Sequence, residues 1–306
     1  MKIEKIRPGV WPTMITPYTP DGKPDFKAIP KICEWYIQNG CDGIFAVCQS
    51  SEMAFLTEQE KLDIAQCVVD SVGGRISVVA SGHTASDKAE QFKEIEAMSK
   101  LDIQAYVLVS NRLDQAGDDE AAFVANTNEI LQRFPELKFG IYECPIPFKR
   151  LISTEFFTQA AKSGQIVFVK DTCCDHDLIR ERLKAIAGSE LMLFNANAAT
   201  FYDSITHGAA GYSGVMANFH PYLFKYVIEH FETHPTKAKL IADLITEFAM
   251  IEMRIYPVSA KYHMNLEGIP MELIARSADA KKLDKNARLE VESLYELEQY
   301  IKEYVL

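Results

Sequence analysis

The chain has 306 residues, of which 48% are hydrophobic and 25% charged, a composition that excludes a largely disordered polypeptide. Its formal net charge of −11 repels nucleic acid and anionic lipid, so neither is an expected partner. No stretch contains the ~18 consecutive apolar residues that a membrane-spanning helix requires.

Cysteine usage and the N-terminal segment predict a cytoplasmic protein. Met1–Ile6 lacks the apolar region of a signal peptide. The seven cysteines are an odd number, spread along a chain without a secretory signal. We therefore expect free thiols in a reducing compartment.

Short apolar runs recur along the first two thirds of the chain. Most are continuous rather than alternating, which is typical of parallel strands buried on both faces. The eight predicted strands are Val10–Tyr18, Gly43–Cys48, Ile76–Ser81, Ala105–Ser110, Phe139–Cys144, Ile166–Thr172, Leu191–Asn195 and Gly211–Met216.

Amphipathic helical patterns separate nearly all of these runs. One helix is predicted within Pro30–Gly40, because proline suits the first turn of a helix and glycine its end. A capping box, Thr57-x-x-Glu60, predicts the start of a helix over Glu58–Val72. Further helical patterns cover Asp87–Leu101, Asp118–Phe134, Thr154–Lys162 and His176–Ile186.

This alternation predicts an α/β fold, specifically a (β/α)8 TIM barrel. An open doubly wound sheet is the alternative, but it usually has a glycine-rich turn after its first strand, and Thr16–Pro20 is not such a turn. We expect the barrel to occupy residues 1–218. Residues 219–306 then form the closing helix and a C-terminal helical extension.

The last helix carries an apolar stripe that needs a partner surface. Asp284 is its predicted N-cap. The stripe packs on the barrel or on another subunit. It consists of Ala287, Val291, Leu294, Leu297, Ile301 and Tyr304.

Lys170 is the first candidate catalytic residue. It ends the apolar run that begins at Ile166, and the active site of a barrel lies at the C-terminal ends of its strands. Burial favours the neutral amine, which is a nucleophile toward carbonyl carbon. The alternative is a structural ion pair with Asp171, and position alone leaves both possibilities open.

Two neighbouring strand ends add polar groups. Tyr142 ends the preceding strand at the corresponding height, where it either relays protons for Lys170 or fills the barrel mouth as an aromatic side chain. The turn Cys48–Glu52 is rich in hydroxyl and amide groups, which suits a carboxylate ligand but also suits a solvated turn.

The sequence gives no indication of a metal or a cofactor. His230 and His234 stand four residues apart but lack the glutamate of the metalloprotease motif, so we expect a solvated pair. There is no Walker motif and no dinucleotide fingerprint. Without a C-x-x-C spacing, the cysteines near strand ends are expected to be buried small hydrophobes; they are Cys48, Cys144, Cys173 and Cys174.

Four segments resemble the dihydrodipicolinate synthase / N-acetylneuraminate lyase family of Schiff-base-forming pyruvate aldolases. Gly9–Tyr18 is similar to the first strand of the family. Cys48–Glu52 stands where the family has Gly-(Thr/Ser)-Thr-Gly-Glu. Tyr142–Pro145 stands for the Tyr-Asn-x-Pro motif, and Val169–Thr172 for the lysine strand. The resemblance implies a barrel with a C-terminal helical extension, commonly assembled as a tetramer built from two dimers.

The same resemblance implies roles for five residues. Lys170 matches the lysine that forms an imine with pyruvate, and Tyr142 matches the tyrosine that moves protons at the imine. Ser50 replaces the threonine hydroxyl that contacts the pyruvyl carboxylate, and Gln49 replaces its hydroxyl neighbour. Ser213 falls where the last strand of the family lines the pyruvyl pocket. The expected partners are a 2-oxo acid, pyruvate, and an aldehyde.

Three departures concern the turn and the second substrate. Cys48 and Ser51 replace two glycines of the turn. The loop Val109–Asp114 lacks the tyrosine that family members lend across a dimer. Pro147 stands where the synthases have an arginine that holds the acceptor's carboxylate, with Lys149 and Arg150 slightly downstream.

Arg112 is the nearest replacement for that missing cation by chain position, and we expect it to bind substrate. The sequence therefore predicts a pyruvate-dependent lyase with an unassigned aldehyde acceptor. Two alternatives stay open: an authentic dihydrodipicolinate synthase of lysine biosynthesis, and a non-catalytic barrel that binds a small acid.

Overall fold

Eight parallel strands form a nearly closed barrel in the computed structural model, which describes residues 5–306. Strands follow one another in sequence order, β1 pairs with β8, and a bridge from Thr13 to Phe45 links the first and second strands. The predicted (β/α)8 TIM barrel is confirmed. The strands are β1 (Gly9–Val10), β2 (Gly43–Phe45), β3 (Ser77–Ala80), β4 (Ala105–Val109), β5 (Phe139–Tyr142), β6 (Ile166–Asp171), β7 (Met192–Asn195) and β8 (Gly211–Tyr212).

Helices follow each strand on the outside of the barrel, and their starts obey local capping rules. Thr57 and Glu60 form the predicted capping box, and Asp284 caps the last helix through the amide of Ala287. The helices are α1 (Ile29–Gln38), α2 (Glu58–Val72), α3 (Lys88–Met98), α4 (Ser110–Leu113), α5 (Glu120–Arg133), α6 (Thr154–Ser163), α7 (His176–Ala185), α8 (Ala198–Thr206), α9 (Pro221–His230), α10 (Pro235–Phe248), α11 (Val258–Leu266) and α12 (Lys285–Tyr304).

Aromatic side chains fill the centre of the barrel. Phe168 stacks on Phe194 with ring centroids 4.7 Å apart, and Trp11 lies 5.4 Å from both. Phe45 packs edge-on against Phe168. These four side chains form an aromatic floor. Because side chains two residues apart on a strand share a face, Lys170 lies directly above Phe168 on this floor.

The first and last strands are shorter than predicted. β1 covers two residues rather than Val10–Tyr18, because Pro12 and Pro17 lack the N–H groups that a ladder needs. β8 likewise ends at Tyr212 rather than Met216, and a 3₁₀ helix, Val215–Asn218, follows it. Helix α8 was not predicted; its N-cap Asn197 accepts a hydrogen bond from the amide of Thr200.

The helices after the barrel pack closely on it. Helix α9 contacts β1, α10 packs on α8 and α9, and α11 packs on α12. A domain boundary at residue 218 stays a prediction, since α9 closes the barrel. In α12, four stripe residues are buried, whereas Leu297 is 52% and Tyr304 66% exposed. The stripe thus packs mainly on its own chain.

Three other expectations concern the surface and the cysteines. All seven cysteines are free thiols, but Cys173 is only partly buried and Cys174 is exposed, contrary to the expectation that both would be buried. Rings of His230 and His234 lie 5.6 Å apart, and residues 5–306 contain no group of three or more potential ligands placed to hold a metal. Within the same range, no helix is both long and apolar enough to cross a bilayer.

Candidate active site

Lys170 projects from β6 into the mouth of the barrel. Its Nζ lies 4.3 Å from the ring centroid of Tyr142 and 6.0 Å from that of Phe45, and the residue is 5% exposed. Burial lowers the pKa of the amine, and the nearby Cys48, Cys144 and Glu252 oppose that shift. Across residues 5–306, no carboxylate lies within salt-bridge distance of this amine. The environment therefore favours a neutral, nucleophilic lysine.

Asp171 is not the partner of Lys170. Successive strand residues face opposite sides, so its carboxylate points to the helix layer and pairs with Arg182 of α7. Arg182 Nη2 also lies 2.8 Å from Glu143 Oε1, and all three side chains are buried. Each acidic residue directly follows a candidate catalytic residue. Arg182 thereby ties β5 to β6 from outside and keeps Tyr142 and Lys170 side by side.

Tyr142 packs within this mouth. It pairs with Lys170 in the register of β5 and β6, and its ring packs edge-on against Phe45 at 5.9 Å. Burial raises the pKa of the phenol well above its usual value, and the nearby Cys144 and Cys48 thiols add to that shift. Tyr142 is therefore a neutral hydroxyl group that can give up or return a proton next to Lys170.

The turn Cys48–Glu52 keeps a compact shape despite its lost glycines. The Ser51 hydroxyl lies 2.6 Å from the carbonyl oxygens of Met14 and Ala46 and accepts the Cys48 N–H at 3.1 Å. The Ser50 hydroxyl donates to Thr13 Oγ1 at 3.0 Å. These bonds hold the turn against the segment that follows β1.

Gln49 lies between this turn and β5. Its Oε1 is 3.8 Å from the Cys144 sulfur, which in turn contacts Tyr142. The structure thus brings together four of the predicted site residues: Lys170, Tyr142, Gln49 and Ser50.

Ser213 and Arg112 occupy different positions. Ser213 is buried at the end of β8, and its hydroxyl has no hydrogen-bond partner among the described residues. The preceding Tyr212 stacks on Phe224 of α9, so alternation directs Ser213 toward the barrel mouth. Arg112, on α4, instead donates to the Ser86 hydroxyl at 3.3 Å, on the loop before α3. No described contact brings it to Lys170.

The two cations downstream of Pro147 are already engaged. Arg150 Nε lies 2.7 Å from Asp114 Oδ2, and its Nη2 lies 2.5 Å from Glu120. Lys149 donates to the Thr172 carbonyl at 2.7 Å. Neither stands free to replace the missing arginine for an acceptor's carboxylate.

The C-terminal extension contributes two residues that the sequence reasoning missed. The Tyr256 hydroxyl accepts the Asn218 Nδ2–H at 3.1 Å, and Asn218 also donates to the Thr13 carbonyl at 3.0 Å. Glu252 lies in the 3₁₀ helix Ala249–Met253, where burial raises its pKa to about 7 against the attraction of Lys170. Neither residue lies at the end of a strand, and no sequence pattern in the extension marks either of them.

Comparison with known proteins identifies the family of the chain. Residues 7–297 match the model of the dihydrodipicolinate synthetase family. A 4-hydroxy-tetrahydrodipicolinate synthase from Shewanella piezotolerans is 24% identical over 91% of this chain and 97% of its own length. A second, from Saccharophagus degradans, is 27% identical over 83% of this chain and 94% of its own length.

Solved structures share the fold. A sialic acid aldolase from Ruminococcus gnavus superposes with a TM-score of 0.84 at 18% identity, covering 98% of this chain and 99% of its own. A prophage protein from E. coli, solved with pyruvate, gives a TM-score of 0.85 at 17% identity over 95% of this chain and 98% of its own. With the family model matched over nearly its whole length, the chain belongs to the dihydrodipicolinate synthetase family, a family of lyases.

Proposed function

We propose that the protein is a class I aldolase that makes or breaks a carbon–carbon bond next to a pyruvyl imine on Lys170. The observation that carries this proposal is the placement of Lys170: a buried amine without a carboxylate partner among the described residues, 4.3 Å from the Tyr142 ring. Membership of a lyase family and the pyruvate complex of one structural neighbour support it.

The first half of the reaction activates pyruvate. The neutral Lys170 amine attacks the ketone carbon, water leaves, and a protonated imine forms. The pyruvyl carboxylate binds at the turn that carries Gln49 and Ser50, with Ser213 lining the pocket. The Tyr142 hydroxyl relays the protons that addition and dehydration require.

The second half forms the bond. The cationic imine acts as an electron sink, so the methyl carbon loses a proton and becomes an enamine. That carbon attacks the aldehyde carbon, the aldehyde oxygen takes up a proton, and the iminium returns. Water then hydrolyses the iminium, which releases product and the free Lys170 amine. Cleavage runs through the same steps in reverse.

The identity of the aldehyde acceptor is a separate part of the proposal. We propose poor turnover with aspartate semialdehyde, because Pro147 has no donor and Arg150 is bound to Asp114 and Glu120. An authentic dihydrodipicolinate synthase is the second candidate, favoured by the names of the two relatives described above, at 24% and 27% identity. A non-catalytic barrel is disfavoured by the buried Lys170–Tyr142 pair, which binding of an acid alone does not require.

Assembly and location complete the proposal. We propose a homo-oligomer, dimer or tetramer, supported by the exposed apolar side chains of Met250, Met253, Leu289 and Leu297, which line one groove. Light scattering at micromolar concentration tests it, and a monomer would refute it. A cytoplasmic location is supported by the seven unpaired cysteines.

Borohydride trapping tests the chemistry. With pyruvate and borohydride, intact mass should show one pyruvyl adduct per chain, and Lys170→Ala should show none. That variant still contains Lys261, a second buried lysine whose pKa burial lowers to about 8, so it controls for burial alone. An unchanged mass of the wild-type chain over a range of 2-oxo acids would refute the aldolase proposal.

A further inference from the structure

A side chain joins the first and last strands of the barrel where their backbone pairing stops. The ladder between β1 and β8 ends at the Trp11 amide, which donates to the Tyr212 carbonyl at 2.8 Å, because the next residue, Pro12, has no N–H. One residue further along the chain, the Thr13 carbonyl accepts a hydrogen bond from Asn218 Nδ2 at 3.0 Å. The side-chain amide of Asn218 thus continues the contact between the two strands toward the mouth.

Asn218 is fully buried, and both ends of its side-chain amide are bonded. Its Oδ1 accepts the Tyr36 hydroxyl at 2.5 Å, and its Nδ2 also lies 3.0 Å from the Val215 carbonyl and 3.1 Å from the Tyr256 hydroxyl. Because a carbonyl oxygen can only accept, a reversed amide would place Oδ1 against two carbonyl oxygens, which fixes its orientation. Asn218 therefore joins the end of β1, helix α1, the 3₁₀ helix after β8 and the C-terminal extension.

Thr13 transmits this constraint to the turn Cys48–Glu52. Its hydroxyl accepts the Ser50 hydroxyl at 3.0 Å, and both side chains are buried. The carbonyl of Thr13 is thus held by Asn218, while the hydroxyl of the same residue holds Ser50. In the proposed function this turn binds the carboxylate of the 2-oxo acid, so Asn218 stands behind the residues that contact it.

The same asparagine fixes the segment that carries Ser213. This serine directly follows β8, and its buried hydroxyl has no hydrogen-bond partner within residues 5–306. A buried hydroxyl without a partner is costly unless a bound molecule supplies one. The 3₁₀ helix Val215–Asn218 begins two residues later, and the bond from Asn218 Nδ2 to the Val215 carbonyl links its two ends. Asn218 therefore supports two predicted contacts of the 2-oxo acid, Ser50 and Ser213.

We propose that Asn218 is a positioning residue for the 2-oxo acid: through Thr13 it sets the place of the Ser50 hydroxyl, and through its own helix it sets the place of Ser213. This inference rests on the proposed function. No described contact joins Asn218 to Lys170. It therefore acts on binding of the acid and leaves imine formation to Lys170.

This role predicts a separation of binding from chemistry. Charge-assisted hydrogen bonds to a carboxylate depend steeply on the position of the donor, so a displaced turn loses affinity for the acid. Replacing Asn218 by alanine also leaves the buried carbonyls of Thr13 and Val215 without this donor, which forces the two segments to shift. Once pyruvate is bound, however, the Lys170 amine is unchanged.

The test compares N218A with N195A. Asn195 is an equally buried asparagine at the end of β7, but its Nδ2 donates to Thr200 and Ser204 of α8, at 2.9 and 3.1 Å. Trapping with pyruvate and borohydride is followed over a range of pyruvate concentrations, which requires no acceptor. N218A should raise the half-saturating pyruvate concentration about tenfold, with a maximal trapping rate within about threefold of the wild type. N195A should lose stability in urea but trap pyruvate at the wild-type concentration.

Thr13→Val provides a second variant in case N218A does not fold. It keeps the shape of the side chain and removes the hydroxyl that accepts from Ser50, so it should also raise the half-saturating concentration. If the wild type forms no adduct, the proposed function fails. If the wild type forms the adduct and N218A half-saturates within about twofold of it, the role of Asn218 is wrong. An equal rise in N195A, or an unchanged value in Thr13→Val, would likewise overturn it.

Discussion

The barrel and the C-terminal extension contribute to one mouth by different physical routes. In the barrel, Tyr142 and Lys170 sit at paired positions of β5 and β6, so the sheet register alone places them together. In the extension, Tyr256 reaches Asn218 after β8 through a 3₁₀ helix, Ala249–Met253, and a strained residue, Ile255. The barrel part of the site follows from a general rule of the fold. The extension part depends on individual contacts, so it can differ between relatives while the barrel stays the same.

This difference leads to different expectations for variants in the two regions. In the proposed function, the barrel residues form the imine with the 2-oxo acid, and we expect the extension to lie nearer the second substrate. We therefore expect variants of barrel residues to remove chemistry with every acceptor. Variants of extension residues should change rates and preferences while adduct formation survives.

Tyr142→Phe tests the barrel side of the comparison and should have the largest effect. Removing only the hydroxyl keeps the ring packed on Phe45 and beside Lys170, so the fold should survive. Because proton transfer by a positioned group contributes roughly 10²–10⁴-fold, turnover should fall by that range with every acceptor. Steady-state kinetics provide the measurement. A variant with a near wild-type rate would show that the Tyr142 ring packs in the mouth and that its hydroxyl transfers no proton.

Arg182→Leu tests the buried ion pairs that join β5 to β6 behind Tyr142 and Lys170. Two buried carboxylates, on Glu143 and Asp171, lose their cation, which costs on the order of 3–5 kcal/mol in the free energy of unfolding. Urea denaturation measures the loss. Arg180→Leu on the same helix breaks the partly exposed pair with Asp203 and should cost much less, because solvent screens that pair. Equal losses of unfolding free energy in the two variants would show that the buried Arg182 pairs stabilise the fold no more than the partly exposed Arg180 pair.

Glu298 tests how the extension is anchored. This buried residue of α12 lies 2.5 Å from His220 Nδ1 and 2.6 Å from His263 Nε2, and the two histidines lower its pKa to about 2. A depressed carboxyl pKa stabilises the fold above the unfolded value, near 4.5, and that stability is lost as the pH falls toward 2.

The expected size of this contribution is about 3 kcal/mol at pH 7. The difference in unfolding free energy between the wild type and Glu298→Gln should therefore shrink between pH 6 and pH 3. A difference that stays constant over that interval would contradict the assignment.

Arg112→Ala should have the smallest effect. Its guanidinium contacts Ser86 at the rim and no described contact takes it to Lys170. Neutral acceptors should be turned over as by the wild type, and kcat/KM for acidic aldehydes should fall by about fivefold or less, because an exposed charged contact is worth about 1 kcal/mol or less. An unchanged ratio of kcat/KM between acidic and neutral aldehydes would show that Arg112 does not bind substrate.

Much of the fold follows from apolar patterning, because buried parallel strands are continuous apolar runs. The ends of β1 and β8 are the exceptions, where Pro12, Pro17 and the 3₁₀ helix after Gly214 interrupt pairing. Helix α8 escaped prediction although Asn197 is a good cap, since its short span follows β7 almost immediately.

The residues of the candidate site could be predicted where their position at the end of a strand determines their place in the barrel. Lys170, Tyr142, Gln49 and Ser50 come together as expected, and their roles stay predictions. Arg112 was chosen by chain position alone, and the fold directs it to the rim. Glu252 could not be found from sequence because its place depends on how the extension folds back over β8.

Peptide mapping of the borohydride-trapped protein tests the central claim most directly. After reduction with pyruvate, tandem mass spectrometry should locate a single pyruvyl modification on Lys170. Lys261, equally buried but 3.5 Å from Glu52, should remain unmodified. A modification on Lys261 or on exposed lysines instead of Lys170, or no modification at all, would contradict the account.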